Sequence, residues 1–321
     1  VAVYTHVSTE ALEAFLADFD IGGLLSAKGI AEGVENSNYL IETEQGRFIL
    51  TLYEKRVRVE DLPYFLGLTG HLADRHLPVP RPIPNRAGET LHRLAGRPAC
   101  LIEFLSGVSV TEPTAEQCRN VGAALARLHL AAADFPLTRP NDLSVEGWRR
   151  LASSIRAEAD GIAPGLRGLI DTALAEIGAA WPQGLPSGPI HADLFPDNVL
   201  VHGAAVTGLI DFYFAANDAW AYDVAVCLNA WCFSSDGHTY HQPLTDAFLA
   251  GYESVRPLER AERAALPLLC QGAALRFLLT RAYDWVNTPA DAIVTRKDPL
   301  AYARRLTFFR EQAARLFAVA S

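Results

Sequence analysis

The chain has 321 residues, half of them hydrophobic and a fifth charged, which is enough apolar material for two lobes or one large core and rules out a disordered chain. Its formal net charge of −9 lacks the basic surplus expected of a nucleic-acid partner. Any site for a polyanion on this acidic chain must therefore be locally positive.

Residues 8–19 have the pattern of a short helix, with Ser8 as N-cap and Leu12, Phe15, Leu16 and Phe19 at helical spacing. Residues 29–39 read as a loop before and at the start of a strand. They hold Gly29, Gly33, Asn36, Ser37 and Asn38. Glycine permits close backbone approach to phosphates, and Asn or Ser side chains can donate to them. Strands are expected at 37–43 and 47–53 around a turn at Glu44, Gln45 and Gly46. Thr51 stands on the second strand where a phosphate-binding Lys or Arg would be natural. The cations Lys55 and Arg56 come later, and they either reach back or are solvated strand-end charges. The helical period of 59–75 opens with Glu60 and Asp61, which suit its first turn. The prolines of 77–84 forbid its continuation and make an extended connector, after which 91–94 and 98–105 complete a small antiparallel sheet.

Past Ser106 and Gly107 the texture changes to helical periods over 114–133, 145–156, 166–181, 222–233, 243–254, 260–285 and 299–320. The change is expected to divide the chain into lobes 1–105 and 106–321, with a hinge at 100–107. Arg276 and Arg281 sit in a strongly apolar stretch. A buried guanidinium requires an acid, and its fork suits a substrate carboxylate as well as an internal partner such as Asp284. The apolar run 264–280 is broken by Pro267, Gln271, Gly272 and Arg276, so it is expected to be a buried helix and not a membrane span. The five cysteines are odd in number and form no C-x-x-C pair. They are expected to be small buried side chains in a reducing compartment, with neither a disulfide set nor a zinc site. The first residues lack a basic stretch followed by an apolar core, so no signal peptide and a cytoplasmic location are expected.

The strongest chemical signal is His191-x-Asp193-x-x-x-x-Asn198, followed by Asp211 at the end of an apolar run. Residues 198–201 and 206–210 read as a short hairpin that would hold Asn198 and Asp211 together. This is the order in which kinase-like enzymes carry a catalytic base and two metal ligands. Asp193 could orient a substrate hydroxyl and accept its proton. The Asn198 oxygen and the Asp211 carboxylate are hard ligands that could hold Mg²⁺ against the phosphates of ATP. His191 is expected to hold the loop by hydrogen bonds, and Asp223, at the start of a helix, to cap, pack or support that loop.

On these residues the chain resembles the aminoglycoside phosphotransferase-like kinase superfamily. It is similar within it to the homoserine kinase group, on residues 32–39, 50–56, 190–199, 208–215, 228–233 and 274–277. The resemblance runs nearly end to end. It implies an α+β, bilobal, protein-kinase-like fold with ATP in the cleft. Residues 1–105 would be a small antiparallel-sheet lobe that binds nucleotide, and 106–321 a larger helical catalytic and substrate lobe. Adenine would bond to backbone near Ile102, Glu103 and Phe104. Asp193 matches the catalytic Asp, and Asn198 and Asp211 match the Mg²⁺ ligands. Thr51 departs from the superfamily's usual basic residue but resembles the group's own pattern. The implied reaction is phosphorylation of the hydroxyl of L-homoserine, a step of threonine biosynthesis, with Asp218 facing the substrate amine and Arg276 or Arg281 its carboxylate. Choline, methylthioribose, hydroxylysine or an aminoglycoside would be alternative acceptors for the same fold. The arginine-bearing helix argues against the strongly cationic ones. Two readings of other classes are a silent nucleotide-binding module, motivated by Thr51, and a metal-dependent hydrolase built from His191, Asp193, Asp211 and Asp223.

Overall fold

Ser8 closes the first turn of α1 (Thr9–Leu16) by accepting the Ala11 N–H, and Leu12 and Leu16 bury the helix's inner face. The computed structural model describes residues 5–30, 36–54, 57–288 and 296–317. Gly33 and Lys55, two expected nucleotide-binding residues, lie outside these.

Five strands follow as one antiparallel sheet in the order β1-β2-β3-β5-β4: β1 (Leu24–Ile30), β2 (Asn36–Thr43), β3 (Gly46–Tyr53), β4 (His92–Leu94) and β5 (Arg97–Glu103). β1 corrects the sequence expectation. Gly29 and Ile30 pair with Tyr39 and Asn38 at the end of a strand and do not open a loop. An edge strand with mostly exposed side chains carries no apolar alternation, so it left no signal. Period-two alternation sends Leu50 and Leu52 to the α1 face, where they meet Leu12, Leu16, Ile41 and Leu101. Thr51 and Tyr53 point to the opposite face. Tyr53 and Cys100 there join the core shared with α2 (Leu62–Asp74) and the rest of the chain.

The remainder is mainly helical. β6 (Val108–Ser109) leads to α3 (Ala115–Ala132), whose start is fixed by a reciprocal Thr114–Gln117 capping box. Then come α4 (Val145–Ser154), α5 (Ala159–Ile162), α6 (Leu166–Ala180), β7 (Ser187–Ile190), β8 (Val199–His202), β9 (Ala205–Leu209) and β10 (Ala216–Ala219). The chain continues through α7 (Trp220–Trp231), α8 (Gln242–Glu253), α9 (Arg260–Asn287) and α10 (Leu300–Leu316). β6, β8 and β9 form one small sheet, and β7 pairs with β10. The strands β6, β7 and β10 were not expected, because two to four residues are too few to show a period.

Gly122 on α3 and Gly251 on α8 allow the two helices to touch backbone to backbone. A Cβ on Gly122 would strike the Phe248 carbonyl, and one on Gly251 the Arg119 carbonyl. α9 is the spine of this part, packing against α4, α6, α7 and α10. Its middle turns, from Cys270 to Leu279, are apolar almost all round, so an arginine placed there is buried. All five cysteines are buried, and burial pushes the thiols of Cys100 and Cys118 up to about 12. Among the described residues no helix is long and apolar enough to cross a membrane.

Candidate active site

Three segments meet at the site: the loop after β7, the β8–β9 hairpin and the middle of α9. In the loop, Asn198 Nδ2 donates to the Asp193 main-chain carbonyl at 2.8 Å and to its carboxylate Oδ2 at 3.3 Å. The donor edge of Asn198 is thus spent inside the loop, which leaves Oδ1 as the edge that can ligate a cation. The Ile210 N–H donates to the Asn198 carbonyl at 3.0 Å, tying the residue before Asp211 to Asn198. The hairpin therefore brings together the pair that spacing put at its two ends.

Asp211 has a left-handed backbone with φ 65° and ψ 63°. Ala192, beside Asp193, has φ 63°, so two of the four described non-glycine residues with positive φ stand at this site. Such conformations persist where the surroundings over-determine them. Here the surroundings can be named. Asp223, inside α7 and fully buried, accepts the His191 N–H at 2.8 Å through Oδ2 and the Ala192 N–H at 2.8 Å through Oδ1. Its Oδ2 also accepts from His129 Nε2 at 3.0 Å, and His129 Nδ1 accepts from the Tyr252 hydroxyl at 2.8 Å. Burial alone would raise the Asp223 carboxyl, but the His129 hydrogen bond, both histidines and the His191 N–H outweigh it and hold the carboxyl below its usual range.

His191 holds the loop, as expected. Its Nδ1 accepts the Asp193 N–H at 3.3 Å, so Nε2 carries the proton that goes to the Ile210 carbonyl at 2.9 Å. Burial pulls its pKa down, and the imidazole is neutral.

Asp193 keeps 19 % of its side-chain surface open, enough for a substrate hydroxyl to reach it. Burial pushes its carboxyl up to about 8; the Arg276 guanidinium pulls the other way, and the Asp211 carboxylate adds to the rise. Arg276 is buried, donates through Nη1 to the Ala192 carbonyl and places Nη2 3.9 Å from Asp193 Oδ1. Its guanidinium lies 4.3 Å from the Phe277 ring and 5.5 Å from the Phe214 ring. Its acidic neighbour is Asp193 and not Asp284, and its hydrogen bond goes to the catalytic loop. Arg276, expected beside the substrate carboxylate, braces that loop through the Ala192 carbonyl.

The other expected site residues divide. Asn38 Oδ1 accepts the Thr51 hydroxyl at 2.8 Å, and Asn36 Oδ1 accepts the Glu54 N–H at 3.3 Å. Both asparagines are in β2, in register with Thr51 and Tyr53, and not in a loop. Ser37, between them, faces the other way, donating to Glu54 Oε1 at 2.8 Å and accepting the Thr5 N–H at 3.0 Å. Under Thr51 the place natural for a cation is filled by neutral groups: Tyr213 donates to the Tyr53 hydroxyl at 3.4 Å, and Tyr53 lies 3.1 Å from Cys100 Sγ. Tyr213 lies two residues after Asp211, so the segment that carries Asp211 is tied to β3 through Tyr53. The Glu103 and Phe104 N–H groups donate to the carbonyls of Arg81 at 2.8 Å and Arg47 at 3.4 Å, and are thus committed within the protein. Asp218 accepts from Asn141 Nδ2 at 2.8 Å and from the Ala219 N–H at 2.7 Å. Arg281 donates to the Asp298 carbonyl at 3.2 Å. Asp61 pairs with Arg139 at 2.9 Å and with Arg58 at 3.0 Å, as a first-turn acid. The sequence reading passed over His129, Tyr213 and Tyr252. His129 left a usable trace, since it continues the apolar face of α3 carried by Cys118, Val121, Leu125 and Leu128.

The geometry is that of a phosphotransferase, and residues 26–258 match the model of the phosphotransferase enzyme family, to which the chain belongs. Within that family it is 58 % identical to the homoserine kinase of Methylobacterium radiotolerans, over 97 % of this chain and 96 % of that one. It is 59 % identical to the homoserine kinase of Methylobacterium nodulans, over 96 % of each chain. Among solved structures it is similar to an amicoumacin kinase in complex with AMP-PNP and Ca²⁺, with a TM-score of 0.71, 15 % identity and coverage of 95 % and 94 %. A choline kinase from Cryptosporidium parvum gives a TM-score of 0.71 at 15 % identity, covering 96 % of both. Those two likenesses establish the kinase-like fold.

Proposed function

We propose that the chain transfers the γ-phosphoryl group of ATP to the hydroxyl of L-homoserine, giving ADP and O-phospho-L-homoserine, a step of threonine biosynthesis. The observation that carries this reading is near-end-to-end identity, at 58 %, to proteins named homoserine kinase. Asp193 hydrogen-bonds the acceptor hydroxyl and takes its proton late, as the oxygen bonds to phosphorus and the bond to the ADP oxygen breaks. Most of the work is positioning. Asp223, Arg276 and His191 fix the loop that carries Asp193, so the hydroxyl meets a carboxyl group already in place. The nucleotide occupies the space between the five-stranded sheet and the β8–β9 hairpin. Asn36, Asn38 and Thr51 supply neutral polar groups on the sheet face turned to that space, and Lys55 is the first cation after Thr51 in sequence.

The residues present fit a hard divalent cation. Asn198 Oδ1 and the Asp211 carboxylate are hard oxygen donors on segments tied together through Ile210. Mg²⁺ bound there would neutralise the charge that builds on the β- and γ-phosphates. A coupled ADP-release assay across L-homoserine, choline, methylthioribose, hydroxylysine and an aminoglycoside tests the acceptor. L-Homoserine is expected to give the highest kcat/KM, and a higher value with any other would replace it.

A further inference from the structure

Around the Tyr302 phenol, on the first turn of α10, three guanidiniums gather. Arg281 lies 4.5 Å and Arg305 4.3 Å from its ring. Arg276 stands beside Phe277, whose ring is 5.2 Å from that of Tyr302. The hydrogen-bond partners of the three are main-chain carbonyls: Ala192 for Arg276, Asp298 for Arg281 and Ser234 for Arg305. Among the described residues neither Arg281 nor Arg305 has a carboxylate within ion-pair distance. The Asp298 carboxylate is occupied elsewhere, by the Leu300 N–H at 2.8 Å and Arg304 at 3.5 Å. Three buried polar atoms in the cluster have no partner: Tyr302 Oη, Arg305 Nε and Arg276 Nε.

Buried cations without counter-ions are costly, and this chain satisfies such a group elsewhere. Arg256, buried to a similar degree, has Glu262 at 3.0 Å. The α9–α10 cluster is short of negative charge by comparison. Its position relative to Asp193 indicates which anion is missing. Asp193 Oδ2 faces Asn198, on the expected metal and phosphate side, whereas Oδ1 faces Arg276 and the cluster behind it. The cations therefore stand on the acceptor side. Arg281 is the half-buried member of the three, while Arg276 and Arg305 are at most 3 % exposed. Burial also pulls the Arg281 guanidinium below its ordinary value, a cost that a bound anion would offset.

We propose that Arg281, its guanidinium set against the Tyr302 ring, binds the carboxylate of the acceptor and selects hydroxy amino acids over amino alcohols. This rests on the homoserine reading above and assigns the residue that enforces it. One fork of Arg281 is used on the Asp298 carbonyl, and the remaining N–H groups suit a carboxylate.

The test pairs L-homoserine with 3-aminopropan-1-ol, the same chain without the carboxylate, on the full-length protein. Arg281→Met is expected to raise the KM for L-homoserine by about 100-fold, as for loss of a charge-assisted hydrogen bond. It should cut the preference for homoserine over the amino alcohol by the same factor and leave the KM for ATP alone. Arg281→Lys, which keeps the charge, should recover part of the loss. Equal losses on both acceptors, or a rise confined to the KM for ATP, would overturn the assignment. A wild-type protein that phosphorylates 3-aminopropan-1-ol as well as L-homoserine would also overturn it. Wild type inactive on L-homoserine but active on another acceptor would instead refute the homoserine reading.

Discussion

Two polar networks flank the catalytic loop, and they differ in one respect. On the α7 side, from Tyr252 through His129 to Asp223, every polar side-chain atom has a partner, and the chain of hydrogen bonds ends on two backbone N–H groups of the loop. On the α9–α10 side, three guanidiniums near a phenol each bond to a different main-chain carbonyl, and among the described residues three buried atoms of the cluster have no partner. A saturated network has no capacity for a ligand and can only fix geometry. An unsaturated one has donors to spare for water or a ligand. Asp193 lies between them, held by the first and open towards the second.

The sharpest break is at Asp193 itself. Asp193→Asn keeps the shape and the Asn198 contact but removes the proton acceptor, so turnover should fall by on the order of 10³-fold or more while ATP affinity, read by calorimetry, stays near wild type. An active Asn variant would remove Asp193 from the base role.

Next comes the saturated side. Asp223→Ala strips the acceptor from His191 N–H, Ala192 N–H and His129 at once. Breaking a buried charged network by removing one partner costs about 3–5 kcal/mol, and chemical denaturation should show a loss of that size. Asp223→Asn, which still accepts at Oδ1, should lose less. If both variants were as stable as wild type, the α7 network would not be the scaffold described.

Arg276 belongs to both sides, bracing Ala192 while carrying one of the unmatched nitrogens. Arg276→Met should lower kcat by about 100-fold, the effect of a misplaced catalytic group, with a KM for L-homoserine that moves far less than in Arg281→Met. The opposite pattern, a large KM effect at near-normal kcat, would make Arg276 the carboxylate contact.

How much of this was legible in the chain follows the same division. The loop, the hairpin and the tie between Asn198 and Ile210, next to Asp211, were legible because their residue types and spacing are fixed by short-range geometry. β3, α3 and α9 were legible because their apolar periods are strong. The polar demand around Tyr302 was not. It depends on α10 returning to lie along α9, which sets Tyr302 and Arg305 beside Arg281, and no local pattern records that contact. The same holds for Ser37, whose side followed from the register of β2 and not from its composition. β1 was invisible because an exposed edge strand lacks the alternation on which strand recognition depends.

The smallest predicted effect separates the two networks by pH. Burial pulls His129 below its ordinary value of 6.5 despite the Asp223 hydrogen bond, and it does the same to His191. As pH falls below 6.5 the unfolded chain takes up protons that the folded chain refuses, so stability declines with acid. Each such histidine contributes a slope of up to about 1.4 kcal/mol per pH unit between its unfolded and folded values. Asp223, held below 3.8, acts in the same direction but only at lower pH. Asp193, pushed up to about 8, acts in the opposite direction across this window, so the histidine contribution is read from the difference between wild type and the His129 variant. In the α9–α10 cluster, burial raises the Tyr302 phenol still further above this window. Urea unfolding of the ligand-free protein at pH 7.5, 6.5 and 5.5 should therefore show a slope that His129→Gln reduces by about 1.4 kcal/mol per pH unit and that Arg281→Met leaves unchanged. A slope that ignored His129, or that followed Arg281, would place the acid sensitivity outside the saturated network.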